Sequence, residues 1–501
     1  MSRPSPTSAR VFREKVRQRL STEVSADRKE GAFPVAMVYP SPYRTGMSSL
    51  GFQRIHRALQ ETPGLGAERA FLDDDAQAGT PHPQLLTYES LRPVSDFPIF
   101  AVSVAYEIEL GGLIQTLEGA GIPVFREDRD DRHPFVLGGG PLTFSNPTPL
   151  SPYCDAVIMG EAEELVVEVV QTIAGCATRE ARLAALAKME HVWVPSIHGE
   201  HLASLAQVED DRLPAWGNFR AQDTELSGMF LIETSRGCSR GCRYCVMRRS
   251  TNGGMRIVPK DVILGRIPQD CQRVGLVGAA VSDHPNIVEI VRTLTDRGAS
   301  VGLSSLRPDK LKLEFVQTLK DAGYRTLTTA MDGPSERMRV QLDRRAEVRH
   351  LLRAAENARA VKMKLLKLYL MIGLPGETDD DIDECVKFTS ELSKIVPVAL
   401  GIAPFCPKRN TPMVSEPFAG IEVVEHRLDR LRRGLRGRAD VRSTSAKWAW
   451  VEAVLARGGD AEGRAIYQAI QNGGAFAAWR KAFEPFATAK KKKRGALPIV
   501  A

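Results

Sequence analysis

Twice along its 501 residues the chain alternates short apolar runs of strand length with stretches of helical periodicity, a pattern that few folds other than helices covering parallel sheets can satisfy. In the first alternation, strands are expected at 35–39, 99–105, 134–137 and 156–159. Between them Phe52, Ile55 and Leu59 recur at helical spacing, and 112–117 runs into a stop at Gly119 to Gly121. A doubly wound parallel sheet follows, whose ligand-binding loops beyond the strands' carboxyl ends are 41–51, 138–141 and 160–164. The second alternation places strands at 230–233, 273–277, 300–304, 326–329, 367–372 and 398–403, with helices such as 287–295 and 346–360 between them. Six such units suggest a parallel partial barrel. Val424, Leu428, Leu431 and Leu435 then form one apolar stripe on a helix. The expected organisation is a basic extension over 1–32, an α/β domain over 33–175, a connector over 176–225, the partial barrel over 226–415, a helical C-terminal cap over 416–487 and a basic tail over 488–501.

Composition narrows the function classes. With 43% apolar and 26% charged residues the chain is ordinary globular protein, and no uncharged stretch is long and apolar enough to span a membrane. The N-terminus lacks the apolar core of a secretory signal, although its Arg and Ser content also suits a transit peptide. The net charge of +7 resides in the ends: residues 1–30 carry eight Lys and Arg against four acids, Lys490 to Arg494 adds five positives, and the body between is −2. No basic nucleic-acid face follows for the folded part, so the tail is expected to be solvated, with an RNA-tethering arm as the other reading. Trp448, Trp450 and Trp479 are expected to be packing anchors rather than base-stacking platforms.

Of eight cysteines, Cys154, Cys176, Cys271, Cys385 and Cys406 stand alone among apolar or helical neighbours. The other three, Cys238, Cys242 and Cys245, lie within eight residues directly after an expected strand. In a chain without a secretory signal this argues for metal rather than disulfide, and for a reducing, cytoplasmic location. Gly237 and Gly241 let the segment Thr234-Ser-Arg-Gly-Cys-Ser-Arg-Gly-Cys-Arg-Tyr-Cys245 fold around a ligand. A structural zinc takes four protein ligands, and a fourth would have to come from His284 or a remote cysteine. An iron–sulfur cluster held by three leaves one iron open for substrate.

The cysteine spacing, with an aromatic residue at Tyr244 before the third, resembles the radical S-adenosylmethionine (SAM) superfamily. The resemblance implies a [4Fe-4S] cluster on Cys238, Cys242 and Cys245 whose open iron chelates the methionine part of SAM. It implies reductive cleavage to a 5′-deoxyadenosyl radical that takes hydrogen from an unactivated carbon, and an electron donor such as flavodoxin or ferredoxin. The later strand ends then supply SAM contacts: Gly278 for close backbone approach, Ser304 and Ser305 as hydroxyls, Asp332 and Arg337 for the ammonium and carboxylate, and Ile372 and Gly373 beside adenine. Arg307 and Glu336 are the substitutes for that acid and base.

The motifs Gly46-Met-Ser-Ser-Leu-Gly51, Gly138-Gly-Gly-Pro141, Gly160-Glu-Ala-Glu163 and Ser304-Ser-Leu-Arg307 resemble more narrowly the radical SAM proteins with an N-terminal cobalamin-binding-type, Rossmann-like domain. That implies cobalamin held by Gly138, Gly139, Gly140 and Gly160, and methyl transfer to a substrate radical. The loop after the first strand, Tyr43 to Gly51, departs from the pattern by lacking a histidine. Any cobalamin is therefore expected without histidine ligation. Two other readings stand beside methyl transfer. One is cobalamin-free radical modification of RNA or protein, including methylthio transfer, although no second cysteine group is present for it. The other is a non-catalytic, metal-stapled RNA-binding module.

Overall fold

A computed structural model describes residues 6–25, 30–80, 84–247 and 254–488, so the basic run from Lys490 lies outside the described residues. The chain forms two compact units, Met1–Phe230 with Val454–Ala501, and Leu231–Ala453.

The first unit is built on six strands: β1 (Phe33–Pro42), β2 (Leu65–Leu72), β3 (Ile99–Ser103), β4 (Phe135–Gly139), β5 (Ala156–Ile158) and β6 (Val192–Trp193). Their order is β2-β1-β3-β4-β5-β6, parallel except for β6. Parallel sheets are buried on both faces, and Val35, Val38, Ile99, Phe100, Phe135 and Val136 are all inaccessible. Helix α1 (Pro6–Ser21) precedes the sheet; α2 (Leu50–Glu61), α3 (Glu109–Ala120) and α4 (Leu165–Ala174) cover it. Ser49 accepts the Phe52 N–H to start α2, and Gly121 in the left-handed region ends α3. The order reverses between β1 and β3, the switch point where doubly wound sheets take ligands.

Sequence reading passed over β2 because Glu68 and Arg69 interrupt its apolar run. Arg69 is completely buried, paired with Glu23 at 2.9 Å and Glu89 at 2.6 Å and laid over the Phe219 ring at 4.0 Å. Burial opposes its charge, but the two carboxylates outweigh that and hold its pKa above the usual arginine range. The expected basic extension is likewise docked: Arg19 on α1 reaches Tyr88 Oη and Asp74 at 2.7 Å and Asp223 at 2.8 Å. Arg19 is thus spent inside the unit, whereas Arg10, Arg13 and Arg17 on the same helix are exposed. Its last two helices, α9 (Asp460–Gln471) and α10 (Phe476–Thr488), come from the far end of the chain. Gly463 of α9 accepts from the buried Tyr153 hydroxyl, and Asn146 Nδ2 donates to Leu455 O and Gly458 O at 3.0 and 2.9 Å.

The second unit carries β7 (Phe230–Glu233), β8 (Arg273–Val277), β9 (Ser300–Leu303), β10 (Thr326–Asp332), β11 (Leu365–Ile372) and β12 (Val398–Pro404), the six strands expected of the partial barrel. They pair as β9-β8-β7 and as β10-β11-β12, to which a seventh parallel strand, β13 (Ala439–Ser443), is added at the edge. That strand lies where a helical cap was expected. Its alternating Asp440 and Arg442 carry no apolar signal, and register with β12 alone makes it a strand. Helices α5 (Ile287–Asp296), α6 (Val348–Ala360), α7 (Asp379–Ser393) and α8 (Ile421–Gly434) cover the outside. The stripe of Val424, Leu428, Leu431 and Leu435 is buried.

Candidate functional site

The three cysteines leave β7 on a loop whose base is a short antiparallel pair, Ser235–Gly237 with Met255–Ile257. Thr234 N–H donates to Val277 O at 2.9 Å, tying the loop to the carboxyl end of β8, and Cys238 N–H donates to Gly254 O at 3.1 Å. Gly237 turns the chain at φ 84°. Further on, Arg243 N–H donates to Leu342 O at 3.0 Å, and Cys245 N–H to Cys242 O at 3.2 Å. Cys242 is buried and its two companions half-buried. Burial pushes the thiols of Cys242 and Cys245 up, the direction a bound cation reverses.

Tyr244 packs against a small apolar cluster of Met338, Leu342, Leu374, Phe405 and Met413. Its phenol faces Asp332, which forms a buried ion pair with Arg344, and the Arg344 charge is close enough to act on Cys242. Burial above all, then the Asp332 charge, holds the Tyr244 hydroxyl far above its ordinary range. Asp332 sits at φ 63°, where β10 slips register against β11. A non-glycine residue there is strained, and such strain concentrates at functional sites.

A second group fastens the other side of the loop. Ser239 Oγ donates to Asp283 at 3.0 Å and Arg240 to Asp309 at 2.9 Å, while Arg307 pairs with both carboxylates. Sequence reading missed Arg344, Asp283 and Asp309, because nothing in their spacing points at the cysteines.

Three of the expected SAM residues come together at the ends of β8 and β9. Gly278 N–H donates to Ser304 Oγ at 3.2 Å, and Ser304 Oγ and Ser305 Oγ donate to Gly278 O at 2.9 and 3.2 Å. A Cβ on Gly278 would stand 3.0 Å from Ser235 O at the loop's base, so this glycine is required by the chain itself. Asp332 and Arg337 do not pair with each other. Arg337 is half-exposed and pairs with Asp381 beside the turn after β11. The substitute Arg307 belongs to the loop-fastening group, and Glu336 contributes its N–H to Glu384 at 2.7 Å. Ile372 is wholly buried, and the Gly373 and Leu374 N–H groups both donate to Glu377, which Arg427 neutralises at 2.9 Å.

The donor set suits a cluster better than zinc. Both His284 ring nitrogens are engaged: Nδ1 accepts the Asn286 N–H at 3.1 Å and Nε2 donates to Val258 O at 2.8 Å. Burial lowers its pKa and keeps it neutral. Among the cysteines of the same unit outside the loop, Cys271 and Cys406 donate to backbone carbonyls at 3.1 and 3.2 Å, and Cys385 is sealed in the core. No three His, Cys, Asp or Glu side chains among the described residues converge on a single ion. A cluster takes one thiolate per iron and needs no such convergence.

The expected cobalamin glycines lie in tight backbone surroundings. A Cβ at Gly138 would meet Cys154 Sγ at 2.8 Å, at Gly140 Val104 O at 2.7 Å, and at Gly160 the Ala206 backbone at 2.6 Å, while Gly139 alone has room. Their own chain fills the space a side chain would take, so Gly138, Gly140 and Gly160 are required by the packing of the unit itself. At the switch point, Ser41 Oγ and Ala105 N–H donate to Glu109 at 3.0 and 2.7 Å, and burial raises that carboxyl's pKa.

Comparison with known proteins places both units. The family model for radical SAM proteins, N-terminal, matches residues 51–195, and that for the radical SAM superfamily matches 232–389. An uncharacterised protein of Methanocaldococcus jannaschii is 25% identical over 397 residues, 77% of this chain and 80% of that one. The structure is similar to the radical SAM methyltransferase TsrM from Kitasatospora setae, solved with cobalamin and a [4Fe-4S] cluster bound, at TM-score 0.54 and 15% identity over 79% of this chain and 75% of that one. It is also similar to the cobalamin-dependent SAM radical enzyme OxsB, at TM-score 0.52 and 14% identity over 73% of this chain and 53% of that one. With radical SAM family models matching both units, the second of them over the cysteine loop, the chain belongs to the radical SAM superfamily of enzymes.

Proposed function

We propose that the chain holds a [4Fe-4S] cluster on Cys238, Cys242 and Cys245, cleaves SAM reductively there, and functionalises an unactivated carbon by cobalamin-dependent methyl transfer. The observation that carries the first part is the loop itself: three thiols at the barrel's carboxyl end, fastened on one side by Tyr244, Asp332 and Arg344 and on the other by Asp283, Arg307 and Asp309, with His284 unavailable as a fourth ligand. Such a cluster supplies one electron to the SAM sulfonium, with carbon–sulfur cleavage. The chain's part is to hold the loop rigid and to seat SAM among Tyr244, the Gly278, Ser304 and Ser305 group, Asp332, Arg337 and the Ile372–Gly373 backbone. For methyl transfer the support is the fold shared with TsrM and OxsB. The second reading is cobalamin-free radical chemistry, in which Gly138, Gly140 and Gly160 serve only the packing of their own unit.

One anaerobic experiment separates the two. The reconstituted protein is incubated with hydroxocobalamin and gel-filtered, and its visible spectrum is read beside its iron content. Stoichiometric cobalamin is the expected result; a full cluster with none retained sinks methyl transfer and leaves SAM cleavage standing. For the SAM seat, Asp332→Asn keeps the side chain's shape and removes its charge. It is expected to weaken SAM about tenfold or more, the weight of one charged hydrogen bond, at unchanged iron content. Equal affinity in equilibrium dialysis removes Asp332 from the seat.

A further inference from the structure

The central strand of a parallel sheet is ordinarily covered on both faces. Strand β11 departs from this on one face. Leu366, Leu368, Leu370 and Ile372 are buried under the outer helices, whereas Tyr369, in mid-strand, is 45% exposed. Alternation places Lys367, Tyr369 and Met371 together on the opposite, inner face. The register carries that face sideways: Thr328 lies beside Lys367 on β10, Gly401 beside Tyr369 on β12, and Arg442 beside Gly401 on β13. Ser443 confirms the orientation, because its hydroxyl accepts from Arg432 of the outer helix α8 at 2.9 Å, which turns Asp440 and Arg442 inward.

The inner face is built around Tyr369. A Cβ at Gly401 would stand 2.6 Å from its ring, so the absence of a side chain there lets the tyrosine lie across β12 toward Arg442. Lys367 Nζ stands over the ring, 4.7 Å from its centroid. Arg442 is exposed and, among the described residues, pairs with the exposed Asp440 at 2.7 Å. One step of about 6.6 Å up the strand, Met371 touches the apolar cluster that holds Tyr244 of the cysteine loop. Two cations against one carboxylate leave this face net positive around an exposed aromatic ring.

We propose that this inner face is the substrate-recognition surface, and that it takes a small organic acid in which a carboxylate or phosphate adjoins a planar apolar body. The anion is held between Lys367 and Arg442, and the flat body lies on Tyr369. Charge complementarity argues for an acid, and the glycine-flanked ring argues for planarity. The inference rests on the radical SAM reading, since it supplies that site with its substrate class.

The test uses the full-length, cluster-loaded protein and saturation-transfer NMR with three probes: benzoate, phenyl phosphate and benzyl alcohol. Either anion is expected to bind at least about tenfold tighter than the alcohol, and the stronger of the two identifies the acid. Lys367→Met and Arg442→Met are each expected to weaken the anion about tenfold, Lys367→Arg to restore it, and Tyr369→Ala to remove the ring signal. Circular dichroism and iron content check that each variant is folded. Equal binding of the alcohol, or anion binding unmoved by both charge variants, overturns the proposal. SAM cleavage by the unmodified protein, measured on the same sample, reports on the underlying reading separately: cleavage without anion preference sinks only the recognition surface.

Discussion

Changing Cys238, Cys242 or Cys245 to alanine removes the bound cluster and, with it, all SAM cleavage. Each thiol serves one iron, and neither His284 nor any described cysteine elsewhere in the same unit stands ready to replace a lost one. His284 has both nitrogens committed to backbone, Cys271 and Cys406 are bonded to carbonyls, and Cys385 is sealed in the core. The expected measurement is iron content and 5′-deoxyadenosine formation on anaerobically reconstituted protein, with each variant below detection in the second assay. A single variant that still forms 5′-deoxyadenosine overturns the assignment. The fold is expected to survive, because the loop hangs from backbone bonds to Val277, Gly254 and Leu342 that do not involve sulfur.

Arg69→Met costs the first unit about 3–5 kcal/mol, the penalty of breaking a buried ion network by removing one partner. Methionine fills most of the volume and leaves Glu23 and Glu89 facing each other without a cation, Glu23 with only 1% of its side chain exposed. The network joins β2 to Glu23, just beyond α1, and to Phe219, so its loss reaches both strands of the sheet's edge. Amide exchange in Phe33–Pro42 and Leu65–Leu72 is expected to quicken by about two to four orders of magnitude, with exchange in β10 to β12 unchanged. Unchanged protection in the first two strands means that the pairing contributes nothing to holding the sheet.

Apolar runs and glycine stops made both sheets legible in the sequence, because a parallel strand buried on two faces must be written almost wholly in apolar residues. Val35 to Tyr39 is an example. Three strands escaped, all at sheet edges: Leu65–Leu72 and Ala439–Ser443 carry charge, and Val192–Trp193, in the expected connector, is only two residues long. At an edge, one neighbouring strand and a few ion pairs replace the apolar signal.

The sequence by itself determined the class of chemistry: three cysteines within eight residues after a strand, heading a run of parallel strands, admit little but a metal cluster at the barrel's carboxyl end. Only the tertiary structure decided how that loop is held and what surrounds it. Arg344 lies 102 residues beyond Cys242 in the chain, and Asp309 lies 69 beyond Arg240. The tertiary structure also separated Asp332 from Arg337, filled the spaces at Gly138, Gly140 and Gly160, and turned Lys367, Tyr369 and Arg442 onto one face. The reason is physical: thiolate spacing is a local property that a short segment can encode, whereas ion pairing and shared faces depend on strand register, which is set by the packing of the whole sheet.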